Sequence, residues 1–480
     1  MTAPEVEPTL PRMRRALGVR DVVLFNIAAI VGLRWLSVAA RIGPSSIVLW
    51  CVALVIFFLP LASAASELSS RMPGEGGMYI WAKAAFGEMH GFICGWSFWA
   101  ANVVYFPSLL LFIAGVSIYV AGDAWLALAN SAVYNATYCL LALWAVTLLN
   151  IVGVQRAKWL QNSGGIATWL IAAIIVVSAG WAWHLFGAAT TITRANIVPD
   201  FGSVKTVSLI AVIAFAFDGF ELAPVLAGEI RDPARTMPRA IVLSGVAIAA
   251  IYILGTLGLL VALPAGKIDI IAGVPQALAA MGDRVGLPML GAVAAALLTL
   301  SQLGGLSAWV MGTARLPFVI GVDRYFPHAV SRLHPRYQTP HIALLTQATI
   351  VTLVLWAALS HSTIHETYLI LVDMTVILTF VPLLYIFAAL PVLRRSAGGD
   401  NTNVVLVPGG MIGCWVASIL GFATTLLGIA FALIPPENST NPALFFLKVA
   451  GGCVLLIGIG LAFYLRGRRA HGIQRASGAE

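Results

Sequence analysis

The chain has 480 residues, 60% of them hydrophobic and only 10% charged, where a soluble domain of average make-up carries about 25% charged residues. A mean hydropathy of +0.93 and 14 Trp exclude a soluble enzyme, a nucleic-acid module and a disordered protein. The net charge of +8 then matters through where the cations fall.

A helix crossing the hydrocarbon core needs about 20 mostly apolar residues, whereas a barrel strand needs about 10. Twelve stretches have helical length: 21–42, 46–66, 88–120, 131–152, 159–186, 205–228, 238–263, 287–317, 341–360, 365–390, 410–434 and 443–465. The sequence therefore predicts an all-α membrane protein with 12 transmembrane helices. Gly43-Pro44, Gly74, Gly409-Gly410 and Pro435-Pro436 punctuate the joints. The longer connections, 187–204 and 264–286, read as short surface helices. No separate soluble domain is present. The expected organisation is a polar tail over 1–20, five helices over 21–186, five more over 205–390, two helices over 410–465 and a second tail over 466–480.

Arg12, Arg14, Arg15 and Arg20 precede an apolar run ending Ser37-Val38-Ala39-Ala40, which has the outline of a secretory leader. Arg34 and Trp35 interrupt that run and eleven more spans follow, so the segment reads as a retained first helix. With twelve crossings and the amino end inside, 21 Lys and Arg fall on the cytoplasmic side, 6 outside and Arg34 within a span. That asymmetry predicts an integral protein of the cytoplasmic membrane with both termini cytoplasmic. The basic balance is an orientation signal, with no nucleic acid implied. Cys51, Cys94, Cys139, Cys414 and Cys453 all lie in apolar runs without metal-ligand spacing; neither metal nor cofactor is expected.

Charges inside spans are costly and usually functional. Arg34 stands in Ile30-Val31-Gly32-Leu33-Arg34-Trp35 of the first span, Asp218 and Glu221 in Phe217-Asp218-Gly219-Phe220-Glu221 of the sixth, and Asp373 in the tenth. Glu67, His90 and Glu229 lie near span ends, where water is expected to reach them. The first and sixth spans each carry Gly beside a charge near the middle, and each opens a set of five helices. Matching interruptions in two halves point to a transporter site built on an inverted repeat. A helix broken there exposes backbone groups that lipid cannot satisfy, so they must line a cavity. Its N-terminal ends favour a carboxylate and its carbonyl ends a cation. The plainer reading is a structural ion pair of Arg34 with Asp218 or Glu221, with Gly32 and Gly219 allowing close packing. Asp373 reads equally as a hydrogen-bonded acid or as part of the mechanism.

Three ordered motifs carry a family resemblance. The first runs Ser66-Glu67-Leu68-Ser69-Ser70-Arg71-Met72-Pro73-Gly74-Glu75-Gly76-Gly77-Met78-Tyr79, then Ala85-Phe86-Gly87. The second is Phe217 to Glu221, then Ala227-Gly228-Glu229, Asp232-Pro233 and Pro238-Arg239. The third spans Arg315, Asp323-Arg324-Tyr325-Phe326-Pro327, His334-Pro335 and Thr339-Pro340. Over nearly its whole length the chain resembles permeases of the amino acid–polyamine–organocation superfamily. The resemblance implies a LeuT-type 5+5 inverted repeat plus two C-terminal helices, working by alternating access. It places Ile30, Gly32 and Arg34 at the substrate carboxylate and Phe215 and Asp218 near the ammonium, with Asn102 and Trp309 as further substrate contacts. It ties Phe215 and Glu221 to gating, and Glu221 to proton coupling, where Asp373 is a second candidate.

Two departures from the family pattern stand out. Leu33 and Arg34 replace the Ser and second Gly usual at the first break, and Arg adds bulk and charge where Gly permits unwound backbone. The fifth helix, at Ser163 to Leu170, lacks the Lys that some proton-coupled members carry. The function implied is amino-acid transport by exchange or proton symport, with a small-molecule substrate, the lipid bilayer and protons as partners. The alternatives are a polyamine or cationic amino-acid antiporter and a non-transporting receptor. Arg34 favours an acidic substrate, while Asp218 and Glu221 favour a cationic one. No nucleophile or metal-hydrolase motif points to an enzyme.

Overall fold

The computed structural model describes residues 15–202, 204–323, 325–359, 364–397, 404–435 and 441–477. Arg12, Arg14, Arg324 and Pro436 lie outside the described residues.

The first expected span is two helices, α1 (Val19–Ile30) and α2 (Arg34–Ile42), bent by 49°. The second is α3 (Ser45–Ala53), a π-helical turn (Leu54–Phe58) and α4 (Leu59–Arg71). The Gly-rich loop that follows contains a helix not expected from sequence, α5 (Met78–Phe86). Next come α6 (Glu88–Ser117), a 3₁₀ segment (Ile118–Asn130), α7 (Ala132–Val152) and α8 (Val154–Phe186).

The second half opens with the short α9 (Arg194–Ile197) and continues with α10 (Val204–Ala216) and α11 (Leu222–Val225). Then follow α12 (Pro233–Ala262), α13 (Gly273–Val285), α14 (Leu290–Thr313), α15 (Arg315–Val322), α16 (His341–Leu359) and α17 (Ile364–Ser396). Two more helices, α18 (Gly410–Ala432) and α19 (Pro442–Ser477), complete the chain. The surface helices expected at 187–204 and 264–286 are α9 and α13.

Among the described residues ten helices are long and apolar enough to cross a membrane, or eleven with α1 and α2 taken as one. The sixth expected span is too interrupted to count by length. α10 has only 13 residues, and the backbone after it turns at Gly219, whose φ is +129°. Two other boundaries differ from expectation. The span expected over 287–317 runs on through α15 to Gly321, with Ala314 still in helical geometry, and α19 carries the Arg-rich tail on as helix through Ser477.

Small residues bring the central helices close together, the usual device where no hydrophobic force separates helix from lipid. A Cβ added to Gly304 of α14 would lie 2.7 Å from the Gly164 Cα of α8. Beside this contact the Thr168 and Ser301 hydroxyls meet at 2.6 Å, and Asn26 of α1 donates to Ser244 of α12 at 3.1 Å. α1, α8, α12 and α14 form the packed centre. Outward stripes such as Val176 and Val177, or Ile412, Val416 and Ile419, stay exposed, as a lipid-facing surface requires.

Water does not reach two of the span-end acids. Glu67 has 0% and Glu229 1% relative exposure. Glu67 pairs with Arg71 at 3.0 Å and Arg394 at 3.3 Å, and Glu229 with Arg315 at 2.5 Å. Burial at these ends holds because each charge has a partner. His90 is half-buried, with Nδ1 3.0 Å from the Tyr385 hydroxyl.

Candidate substrate site

The two helix breaks face each other. At the first, Val31 leaves the helical region with ψ 88°, and Gly32 and Leu33 carry the chain into α2. At the second, Phe217 to Glu221 form turns between α10 and α11, with Asp218 N–H bonded to Phe215 O at 3.1 Å. Gly219 is required here on two grounds. Its positive φ suits a residue without Cβ, and a Cβ would lie 2.8 Å from Ile30 Cγ1. The breaks therefore touch through Ile30 and Gly219.

Tyr252 of α12 ties the breaks together. Its hydroxyl lies 2.8 Å from Ile30 O and 2.7 Å from Ala216 O, and accepts the Gly32 N–H at 3.2 Å. Gly32 N–H also donates to Ile30 O at 2.8 Å across the break, so the phenol adds a second partner there and supplies one to the Ala216 carbonyl that unwinding frees. The ring is held by parallel stacking on Trp50, with centroids 4.4 Å apart, and Trp50 Nε1 donates to Thr256 at 2.9 Å.

One cavity of about 40 Å³, room for a few waters, opens between the breaks. Ile30, Gly32, Arg34, Asn102, Phe215, Asp218 and Trp309 all line it. Arg34 and Asp218, each buried, bring a basic and an acidic group to one chamber from opposite breaks. The Arg34 guanidinium lies over the Trp35 and Tyr105 rings, 4.6 and 5.2 Å from their centroids, and Nη2 donates to the Tyr105 hydroxyl at 3.4 Å. Trp35 meets Phe215 edge-on at 5.7 Å, and Phe215 meets Phe380 at 5.9 Å, forming an aromatic wall on the α2–α10 side. Trp309 is fixed by an Nε1 hydrogen bond to Ala29 O at 2.8 Å, so it caps a carbonyl of the last turn of α1. Asn102 donates to Phe98 O of its own helix at 2.9 Å.

Two expected residues lie elsewhere. Glu221 is fully buried behind Asp218, its Oε2 accepting the Gly219 N–H at 3.1 Å, and does not line the cavity. Asp373 is half-buried on α17, outside the lining, whereas Thr375 and Thr379 of the same helix line it. Tyr105, Gln302 and Tyr252 also went unread in the sequence. Helical spacing could have found two of these: Tyr105 is three residues after Asn102, and Gln302 is seven before Trp309, each on the same face. A lone Tyr in an apolar helix, as at 252, gives no such signal.

A broken-helix cavity with a basic and an acidic side chain at its two breaks, inside a bundle of lipid-length helices, defines a polytopic membrane transporter. Residues 17–459 match the amino acid permease family. The chain belongs to that family and is a secondary transporter of small molecules, not an enzyme. It is 29% identical over 447 residues to an uncharacterized transporter of Legionella pneumophila, covering 92% of this chain and 95% of that one. It is similar to a probable agmatine/putrescine antiporter of Lactococcus lactis, 28% identical over 57% of each chain. It is also similar to a glutamate/gamma-aminobutyrate antiporter of the same species, 24% identical over 80% of this chain and 77% of that one.

Proposed function

We propose that the chain moves amino acids across the cytoplasmic membrane by alternating access, as an exchanger or proton symporter, with both termini cytoplasmic. The observation that carries this reading is the single cavity lined by Arg34 from one helix break and Asp218 from the other. A zwitterion matches that pair: its carboxylate meets Arg34 and the backbone near Ile30 and Gly32, and its ammonium meets Asp218 and the carbonyls near Phe215. Asn102 and Trp309 complete the enclosure.

In this reading there are twelve crossings, the broken α1–α2 and α10–α11 counting as one each. The second set of five repeats the first upside down, because five is odd. The element order supports that relation, since a short helix, α5 or α13, follows the second span of each half. Glu221, pressed against Asp218, serves gating and carries the coupled proton; Asp373 is the second candidate for that proton. Phe215 and Trp35 close the outer side.

The second reading, a cationic amino-acid or polyamine antiporter, is favoured by Asp218 and Glu221 at the sixth-helix break and by the agmatine/putrescine relative. Counterflow into proteoliposomes, comparing glutamate, a neutral amino acid, arginine and putrescine, separates the two. Arg34→Ala is expected to abolish transport or move it toward the cationic members of the panel without loss of membrane insertion. An unchanged range and rate would show that Arg34 only packs, and no counterflow of any member would favour a receptor.

A further inference from the structure

We propose that Glu75, Glu229 and Arg315 form a proton-binding site that latches the signature-loop end of the transporter, closing with the uptake of one proton and opening with its release. The site lies apart from the helix breaks and does not depend on which substrate they take.

The cluster joins three parts of the chain. Glu75 comes from the Gly-rich loop between α4 and α5, Glu229 from the turn after α11, and Arg315 from the first residue of α15. All three are buried, at 6%, 1% and 0% relative exposure. Arg315 Nη2 donates to Glu229 Oε1 and Nη1 to Met311 O, both at 2.5 Å. Glu75 Oε2 accepts the Gly228 N–H at 2.5 Å, and Gly76 N–H donates to Val225 O at 3.2 Å, so the loop is pinned on the end of the sixth span. On the other side Ala16 and Leu17 donate to Glu229 O at 2.9 and 3.0 Å.

The charges do not balance unless a proton is present. One guanidinium, paired with Glu229, stands against two buried carboxyl groups, and an uncompensated buried charge is strongly unfavourable. Among the described residues Glu75 Oε1 and Glu229 Oε2 are buried acceptors without a hydrogen-bond donor, and Arg315 Nε is a buried donor without an acceptor. One O–H on Glu75 makes the cluster neutral and supplies a donor to it. A cavity of about 160 Å³ reaches the cluster at Glu229, which lines it with Ala16 and the exposed Arg156, Arg336 and Gln338, and the proton passes from there to Glu75 in this proposal.

The direction of the linkage follows. Burial, and then the neighbouring Glu229, push the Glu75 carboxyl up to about 8, against the lowering influence of Arg315 and the Gly228 N–H. Glu229 and Arg315 are the charged groups that act on it from the elements packed around it. Once opened to water the same carboxyl returns toward its ordinary value of 4.5. Between 4.5 and 8 the closed form holds a proton that the open form lacks, so closure weakens as pH rises through that window. Below it both forms are protonated. Above it the closed form bears the whole cost of a second buried anion.

The test uses the full chain purified in detergent, with its unfolding temperature measured from pH 5 to pH 9. Wild type is expected to lose stability as pH rises from 5 to about 8 and to level off above it. Glu75→Gln, a permanent imitation of the protonated acid, is expected to lose less than half as much over the same range. Glu229→Gln leaves one acid for one guanidinium and is expected to move the wild-type transition down by at least one pH unit. The proposal is overturned if Glu75→Gln falls as steeply as wild type, or if Glu229→Gln leaves the transition in place. Neither result bears on counterflow, so the transport reading stands or falls separately.

Discussion

Tyr252 has one phenolic proton and two carbonyl oxygens within 2.8 Å, so its hydroxyl is shared between the α1 and α10 breaks. Ile30 O also accepts the Gly32 N–H at 2.8 Å, so the Ala216 carbonyl is the acceptor that depends on the phenol, and leaving a buried acceptor unsatisfied costs about 1–3 kcal/mol. Tyr252→Phe keeps the ring stacked on Trp50 and removes only the shared oxygen. Counterflow at saturating substrate is expected to fall about tenfold or more, with surface expression near wild type. A rate equal to wild type would show that the ring alone matters. Much of the cavity was legible in the sequence because a charge or Gly within an apolar span stands out against its background. Glu229 and Arg315 were not legible as a pair, since 86 residues separate them and each sits where a span end normally meets water. Only the tertiary packing of the first loop over both removes that water.

The helices follow from the apolar runs because lipid leaves the backbone no other partner than itself. Ten such helices, and the break in the first, follow the hydropathy of the chain. α5 escaped notice because nine residues flanked by Gly77 and Gly87 are too few to show a period and look like loop. The sixth span divides where the sequence interrupts its apolar run, at Asp218, Gly219 and the neighbouring turns. Close approach also sets the spacing of whole helices. At Gly304 the α8 backbone lies where a side chain would stand, and overpacking costs about 1–3 kcal/mol. Gly304→Val is expected to push α14 from α8, lowering the unfolding temperature by several degrees and reducing counterflow. Normal stability in detergent with normal transport would contradict that packing.

At the scale of the whole molecule the proposed twelve-crossing topology divides the cations 21 to 6, and that asymmetry predicts how the proposed cycle faces the cell. Alkaline phosphatase is active only outside the cytoplasm. Fused after the carboxyl terminus it is expected to be inactive; inserted after the exposed Gly286 it is expected to be active. The opposite pattern would invert the orientation and with it the side on which the Glu75 latch meets protons.

One further consequence concerns the sulfur atoms. Four of the five cysteines are buried, and Cys51 shares an exposed stripe with Val55 and Leu59, one helical turn apart each. That stripe looks into the acyl chains, beyond the reach of charged, hydrophilic maleimides. The natural polypeptide is therefore already a silent background for scanning accessibility: a single engineered thiol placed along the cavity wall can be labelled and followed without first stripping out the native ones.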